Sequence, residues 1–248
     1  MLKKLIRLND KKFRNELGLF VVEGEKFVKD IGSDFEIVEY VFSESYLAKS
    51  RGLKNGHVFS DDDFIKIADT KTPQGILAVV KQKAYSLESV MTADNSFVIL
   101  GENINDPGNI GTIIRTADAC SANGVIFTNQ SADIYNPKVI RSAAGSFCHM
   151  PVIQNVDLSN VVSLLKERNI KLIAASLKGK TLPYDINLSD GIAILLGNES
   201  NGLTEEAESL ADILVKIPMI GRAESLNASI AGGVLMYEVV RQRLMPKL

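Results

Sequence analysis

From residue 97 onward one alternation repeats: a short, unbroken apolar run, then a segment with helical spacing. The runs are Phe97–Leu100, Val125–Thr128, Val152–Ile153, Leu172–Ala174, Ile192–Leu196 and Ile213–Ile217. Helices are predicted between them over Ile110–Ser121, Pro137–Ala144, Leu158–Arg168 and Glu205–Leu210, with a last one from Ala228 to about Leu244. A strand that is apolar at every position must be covered on both faces. Strands alternating with helices therefore imply a mostly parallel sheet inside a three-layer α/β domain.

The first 85 residues read as a smaller α/β domain. Leu19–Gly24 is a short apolar run, and Glu25–Ile31 is a predicted helix closed by Gly32. Ile37–Phe42, Val58–Phe59 and Gly75–Val80 have strand composition. Ser60 is an expected helix cap, followed by Asp61, Asp62 and Asp63 where the helix dipole favours acids. Residues 86–95, with a turn or helix at Leu87–Met91, read as the linker to a larger domain, 96–248.

Hydrophobic content of 46% with 23% charge is ordinary for a soluble protein. No apolar run is long enough to span a membrane, and the basic start lacks a signal peptide's apolar stretch. Cys120 and Cys148 sit among apolar residues and read as reduced, packed thiols of a cytoplasmic protein. His57 and His149 are far apart, and no Cys/His spacing suggests a metal site. A net charge of −2 argues against gripping nucleic acid over the whole surface. Residues 1–14 nonetheless hold six cations (Lys3, Lys4, Arg7, Lys11, Lys12, Arg14) against one acid, Asp10. That run is either a solvated helix face or an arm that contacts phosphates.

Parallel α/β sheets place ligand sites in loops at the carboxyl ends of strands. Three such loops stand out. The first runs from Gly101 to Arg115 and contains Asp106-Pro107-Gly108, a turn, with Asn109 the expected cap of the following helix. Arg115 follows among the apolar Ile113, Ile114 and Ala117. The second, Gly197-Asn-Glu-Ser-Asn-Gly-Leu203, has Glu199 as its one acid. It is neither Gly-x-Gly-x-x-Gly nor a P-loop. The third is Ile217-Pro-Met-Ile-Gly-Arg-Ala-Glu-Ser-Leu-Asn-Ala-Ser229, in which Pro218 cannot donate to a strand ladder and Ser225 and Asn227 are good helix caps.

These three segments resemble, in order and separation, the three motifs of the SpoU-type (TrmH-like) RNA 2′-O-ribose methyltransferases of the SPOUT superfamily. The likeness covers about residues 97–244. Residues 1–85 resemble, less sharply, the ribosomal-protein-like RNA-binding domain that precedes the catalytic domain in many members, through the stretch Lys11–Lys26. The resemblance implies a C-terminal trefoil knot, a homodimer, S-adenosylmethionine as methyl donor without a metal, and rRNA, or alternatively tRNA, as substrate. It implies that Gly197, Ile217, Met219 and Leu226 line the adenosine pocket. Asn109, Arg115, Glu199, Ser225 and Asn227 would surround the reacting 2′-oxygen, with Arg115 approaching the partner's cofactor site. Because free arginine is a poor base, Arg115 is expected to orient a phosphate and stabilise negative charge on the 2′-oxygen, while Glu199 or an RNA phosphate takes the proton. In this light the basic N-terminus is expected to meet phosphates. His149 stands near where many relatives have a basic residue. Two rival readings are a relative that keeps RNA binding but not catalysis, and a small-molecule methyltransferase.

Overall fold

The computed structural model describes residues 1–31, 34–50, 55–92 and 95–244. The chain divides into two compact units, Met1–Ala84 with Tyr135–His149, and Tyr85–Ile134 with Met150–Leu248.

The first unit opens with two short helices not foreseen as such, α1 (Leu2–Arg7) and α2 (Lys11–Leu17). Asp10 separates them, its carboxylate accepting from the Phe13 N–H as the cap of α2. Then come β1 (Leu19–Glu23), α3 (Glu25–Ile31), β2 (Ile37–Ser43), α4 (Glu44–Lys49), β3 (His57–Phe59), α5 (Asp61–Ile67) and β4 (Ile76–Lys81). The closing of α3 at Gly32 lies outside the described residues. Ser60 caps α5 as expected, accepting from the Asp63 N–H. The sheet order is β1-β4-β2-β3, with β4 antiparallel to both neighbours and β2 parallel to β3. Leu5 and Leu8 pack with Val41, Phe64, Ile67, Leu77 and Val79. Burying those leucines is what fixes the orientation of the N-terminal cations.

In the second unit α6 (Leu87–Val90) leads into β5 (Phe97–Gly101), α7 (Pro107–Ala119) and β6 (Gly124–Thr128). The segment read as a linker is packed: Val90 and Met91 are fully buried in this unit's core. Of that segment, residues 93–94 lie outside the described residues. After β6 the chain contributes α8 (Pro137–Ala143) and α9 (Ser146–His149) to the first unit. The reason is aromatic: Tyr135 and Phe147 pack against Phe20 at centroid distances of 4.8 and 5.9 Å, and Phe147 stacks on Phe35. The Tyr135 hydroxyl also accepts from the Lys83 N–H and donates to its carbonyl. Burial pushes the Cys148 thiol up to about 12, helped by Asp30 and Asp34, which fits a packed, unreactive cysteine.

The second unit resumes with β7 (Val152–Val156), α10 (Leu158–Glu167), β8 (Lys171–Ala175), β9 (Ile192–Leu196), α11 (Glu205–Leu210), β10 (Ile213–Val215) and α12 (Ala228–Leu244). All six strands are parallel, in the order β10-β8-β9-β5-β6-β7. Every residue of β5, β6 and β9 is buried, as their uninterrupted apolar sequence requires. Strand order reverses between β5 and β9. Their register pairs Gly101 with Leu196, so the loops after them leave the sheet side by side. That is the switch point at which open parallel sheets bind ligands.

Candidate active site

The first loop leaves β5 and turns into α7. Asp106, not Asn109, caps this helix: its Oδ1 accepts from the N–H groups of Gly108 and Asn109 at 2.6 and 3.1 Å. Pro107 opens the helix, where its missing N–H costs nothing. The expectation that Asn109 is the cap is therefore corrected, and the helix begins three residues before Ile110. Freed from capping, the buried Asn109 side chain faces the other two loops. Its Nδ2 donates to Glu199 Oε1 at 2.8 Å. Its Oδ1 accepts from Asn227 Nδ2 at 2.9 Å and lies 3.2 Å from Ser229 Oγ. One amide thus joins three segments that are distant in sequence.

Glu199 sits on the loop after β9. That loop is closed on itself by reciprocal backbone bonds between Asn198 and Gly202, and the Asn198 Oδ1 accepts from the N–H groups of Ser200 and Asn201. Gly197 makes the closure possible, since a Cβ there would stand 2.4 Å from the backbone of Gly202 and Leu203. Besides Asn109, the Glu199 carboxylate accepts from the N–H groups of Asn105 and Asp106 at 3.3 and 3.2 Å, and from Asn198 Nδ2 at 3.4 Å. Desolvation pushes this carboxyl up, but the bond from Asn109 and the backbone bonds outweigh it, leaving it below the usual carboxylate range. Glu199 is thus a carboxylate whose oxygens are already engaged by the first and second loops.

A buried acid that sequence reading missed ties the same loop to β5. Glu102 accepts from the Thr204 N–H at 3.0 Å and from its hydroxyl at 2.7 Å. Thr204 in turn caps α11. A lone acid directly after an apolar strand is the only sequence signal for it.

The third loop follows β10, which ends at Val215, earlier than the expected Ile217. Asn227 caps α12, its Oδ1 accepting from the N–H groups of Ser229 and Ile230 at 2.9 and 3.3 Å. It does so while its Nδ2 bonds Asn109, so capping and site contact coexist. Ser225 makes no hydrogen bond among the described residues, so it is not a cap. Ser229 Oγ lies 2.7 Å from Asn227 Oδ1 and is buried. Its place at the end of the third motif was the available signal.

The second and third loops border a cavity of about 330 Å³. Gly197, Ile217, Met219 and Leu226 all line it, with Glu199, Ser225, Ala228 and Ala231. Ile217, Met219, Leu226 and Ala231 give it an apolar lining that suits a flat heteroaromatic ring. A larger cavity, about 420 Å³, lies in the first unit. Its polar wall is largely satisfied internally, Glu23 accepting from Thr70 and Arg141 donating to Asp69.

Arg115 stands apart. It is exposed on α7, does not line the cavity, and makes no hydrogen bond or ion pair among the described residues. Within one chain, then, the structure joins Asn109, Glu199 and Asn227 by hydrogen bonds, sets Glu199 and Ser225 in the cavity wall, and leaves Arg115 outward. Of the N-terminal cations, Lys3, Lys11 and Lys12 are exposed. Lys4 pairs with Glu39 at 3.4 Å, and Arg7 lies over the Phe13 ring. Arg14 is the correction: it is buried, donating to the carbonyls of Leu8 and Asn9 at 2.9 and 2.8 Å. It holds the turn between α1 and α2 and is not presented to phosphates. His149 is half exposed, 3.4 Å from Asp34.

Comparison with known proteins agrees with this geometry. Residues 96–237 match the SpoU rRNA methylase family, and residues 1–78 match the MRM3-like substrate binding domain. The 23S rRNA (guanosine(2553)-2′-O)-methyltransferase RlmP of Bacillus subtilis is 33% identical over 94% of this chain and 93% of its own length. A 23S rRNA (uridine(2479)-2′-O)-methyltransferase of Streptomyces viridochromogenes is 35% identical over 70% of this chain and 62% of its own. The solved structure of the SpoU methyltransferase AviRb from Streptomyces viridochromogenes, in complex with AdoMet, superposes with a TM-score of 0.89 at 26% identity, covering 99% of this chain and 98% of that one. Three motif loops meeting on Asn109, at the switch point of a parallel sheet and beside an apolar-walled cavity, agree with these matches: the chain belongs to the SpoU rRNA methylase family.

Proposed function

We propose that this protein transfers a methyl group from S-adenosylmethionine to a ribose 2′-hydroxyl of RNA, with ribosomal RNA as the substrate class. The observation that carries the reading is the convergence of Asn109, Glu199 and Asn227 beside the cavity lined by Gly197, Ile217, Met219 and Leu226. No cluster of potential metal ligands occurs among the described residues. The cavity fits an adenosine group, with apolar side chains for the ring and loop backbone for its polar edges. When bound, S-adenosylmethionine supplies a methyl carried on a positively charged sulfur, a leaving group already activated. The protein must then align the 2′-oxygen and accommodate its proton. Asn109 and Asn227, held by Glu199 and Ser229, fix the loops that define that alignment. Ser225, with an unengaged hydroxyl, is free to contact the substrate. Arg115 orients a phosphate and stabilises charge building on the 2′-oxygen.

Arg115 performs this role across a homodimer. Support comes from its outward position and from the apolar side chains exposed on and near α12: Ile220, Leu226, Ile230, Val234 and Tyr237. Ile230, Val234 and Tyr237 recur at helical spacing on one face of α12, and an exposed apolar face of this kind is suited to a protein interface. The path of the chain from β10, at one sheet edge, back to α12 against α7 and β9 supports a trefoil knot. Lys3, Lys11 and Lys12 contact RNA phosphates, and residues 1–85 act as the RNA-recognition domain, as the match to a substrate-binding domain supports. The rRNA-modifying relatives support a cytoplasmic location. No described helix is long and apolar enough to cross a membrane. Ribosomal RNA is favoured over tRNA because the rRNA enzyme RlmP aligns with nearly the whole chain. A structure concerned with methylation of C/U34 on tRNA covers 60% of it.

The test is ribose-methylation mapping of total RNA from cells with and without the gene. Loss of a 2′-O-methyl ribose from rRNA is the expected result, and identical maps refute the activity. Failure to bind S-adenosylmethionine at millimolar concentration in calorimetry would instead favour an inactive RNA-binding relative.

A further inference from the structure

Among the described residues, three ionisable side chains line the cavity: Glu199, Lys178 and Glu208. Glu199 is occupied by the loop network described above. The other two form a separate group at the carboxyl end of β8. Glu208, on α11, accepts from Lys178 Nζ at 2.7 Å and from Ser176 Oγ at 2.6 Å. The Glu208 side chain is 12% exposed, whereas that of Lys178 is 65% exposed.

The backbone that carries Lys178 is held in place before any ligand arrives. The Lys178 N–H donates to Ser176 Oγ at 3.1 Å, and the Gly179 N–H to the Ser176 carbonyl at 3.1 Å. A Cβ at Gly179 would stand 2.7 Å from the Leu214 carbonyl oxygen, so this loop lies directly on β10. Thr181 then bridges Val215. A rigid loop that sets one cation and one anion side by side in a cavity wall is a preorganised receptor for a group bearing both charges.

The pair has capacity to spare. An ammonium has three donors, of which Lys178 shows one in use, and a carboxylate has about four acceptor positions, of which Glu208 shows two in use. The Lys178 end of the pair is exposed, so its ammonium can turn from Glu208 to a ligand's charge without being desolvated anew.

Resting on the cofactor reading above, we propose that Lys178 and Glu208 form a clamp for the amino-acid end of S-adenosylmethionine. Lys178 takes the α-carboxylate and Glu208 the α-ammonium. The adenosine then rests against Ile217, Met219 and Leu226 at the apolar wall. The clamp is a binding and positioning device, separate from the Asn109 network.

The experiment compares two ligands by calorimetry on the full chain: S-adenosylhomocysteine, which carries the amino-acid group, and 5′-methylthioadenosine, which lacks it. Lys178→Ala and Glu208→Gln should each weaken S-adenosylhomocysteine about tenfold, as loss of one charge-assisted bond implies. Both should leave 5′-methylthioadenosine within about twofold, and Lys178→Arg should restore much of the lost affinity. Unliganded melting temperatures close to wild type establish that the variants fold. Equal losses for both ligands overturn the clamp in favour of a ribose contact or a structural role, and so does no loss for either. Wild-type protein that binds neither ligand overturns the cofactor reading itself, and the clamp with it.

Discussion

Replacing Asn109 by aspartate tests the centre of the site with almost no change in shape. The Asn109 Nδ2 donates to Glu199 at 2.8 Å. In Asn109→Asp a carboxylate oxygen stands where that donor stood. In the wild type, desolvation raises the Glu199 carboxyl while the Asn109 bond and the backbone bonds lower it further, for a net depression. Its contribution to stability is therefore present above the unfolded carboxylate pKa and is lost as pH falls through the lower folded value. The variant reverses the sign. Two carboxylates in contact resist ionising together, so the pair's upper folded pKa rises above the unfolded value. The variant keeps its stability below the unfolded pKa and loses it as pH rises through that raised value. Two charges ~3 Å apart repel by about 2–3 kcal/mol at a screened dielectric of about 40, between water and a typical protein surface. For a chain of this size that corresponds to a melting deficit of roughly 4–12 °C. Scanning calorimetry at pH 8 and pH 4.5 measures it. The deficit against wild type should be largest at pH 8 and shrink by at least about half at pH 4.5. A deficit that does not change between the two would refute the Asn109–Glu199 contact and the ordering role built on it.

Three further outcomes follow from other parts of the molecule. Arg115→Lys keeps the charge but loses the planar fork, and should lower single-turnover methylation at least about tenfold with no change in melting temperature, because the side chain is exposed; near-wild-type turnover would sink the orienting role. Gly197→Ala places a methyl 2.4 Å from the backbone of Gly202 and Leu203, so the loop must open, and calorimetry should find S-adenosylmethionine affinity reduced at least about tenfold. Arg14→Ala should cost about 2–3 kcal/mol in chemical denaturation through two lost charge-assisted bonds, whereas Lys11→Ala with Lys12→Ala should leave stability alone and reduce the salt slope of RNA binding by about 1–2; the reverse pattern would overturn the assignment of these cations.

Legibility differed between levels of structure. Strands such as Ile192–Leu196 were plain because every residue is apolar, and a strand covered on both faces has no other composition open to it. Ser60 and Glu205–Leu210 were plain because capping and helical spacing are local. The first turn of α7 was misjudged for an equally physical reason. Asp-Pro-Gly is compatible with both a turn and a helix start, and the choice depends on Asn109 being drawn away to Glu199 and Asn227. Arg14 was misplaced because charge alone does not say which face of a short helix packs. Burial of Leu5 and Leu8 decided that.

Taken by itself, then, the sequence determined the α/β architecture, the positions of the strands and the three motif loops, because apolar periodicity and turn chemistry act over a few residues. The tertiary structure alone decided which side chains meet. Asn109 bonds partners 90 and 118 residues away, Glu102 holds Thr204 across 102 residues, and Tyr135 and Phe147 draw α8 and α9 into the first unit. No local rule encodes such pairs. They arise only when parallel strands bring distant loops to one edge of the sheet, where a buried polar group must find a partner.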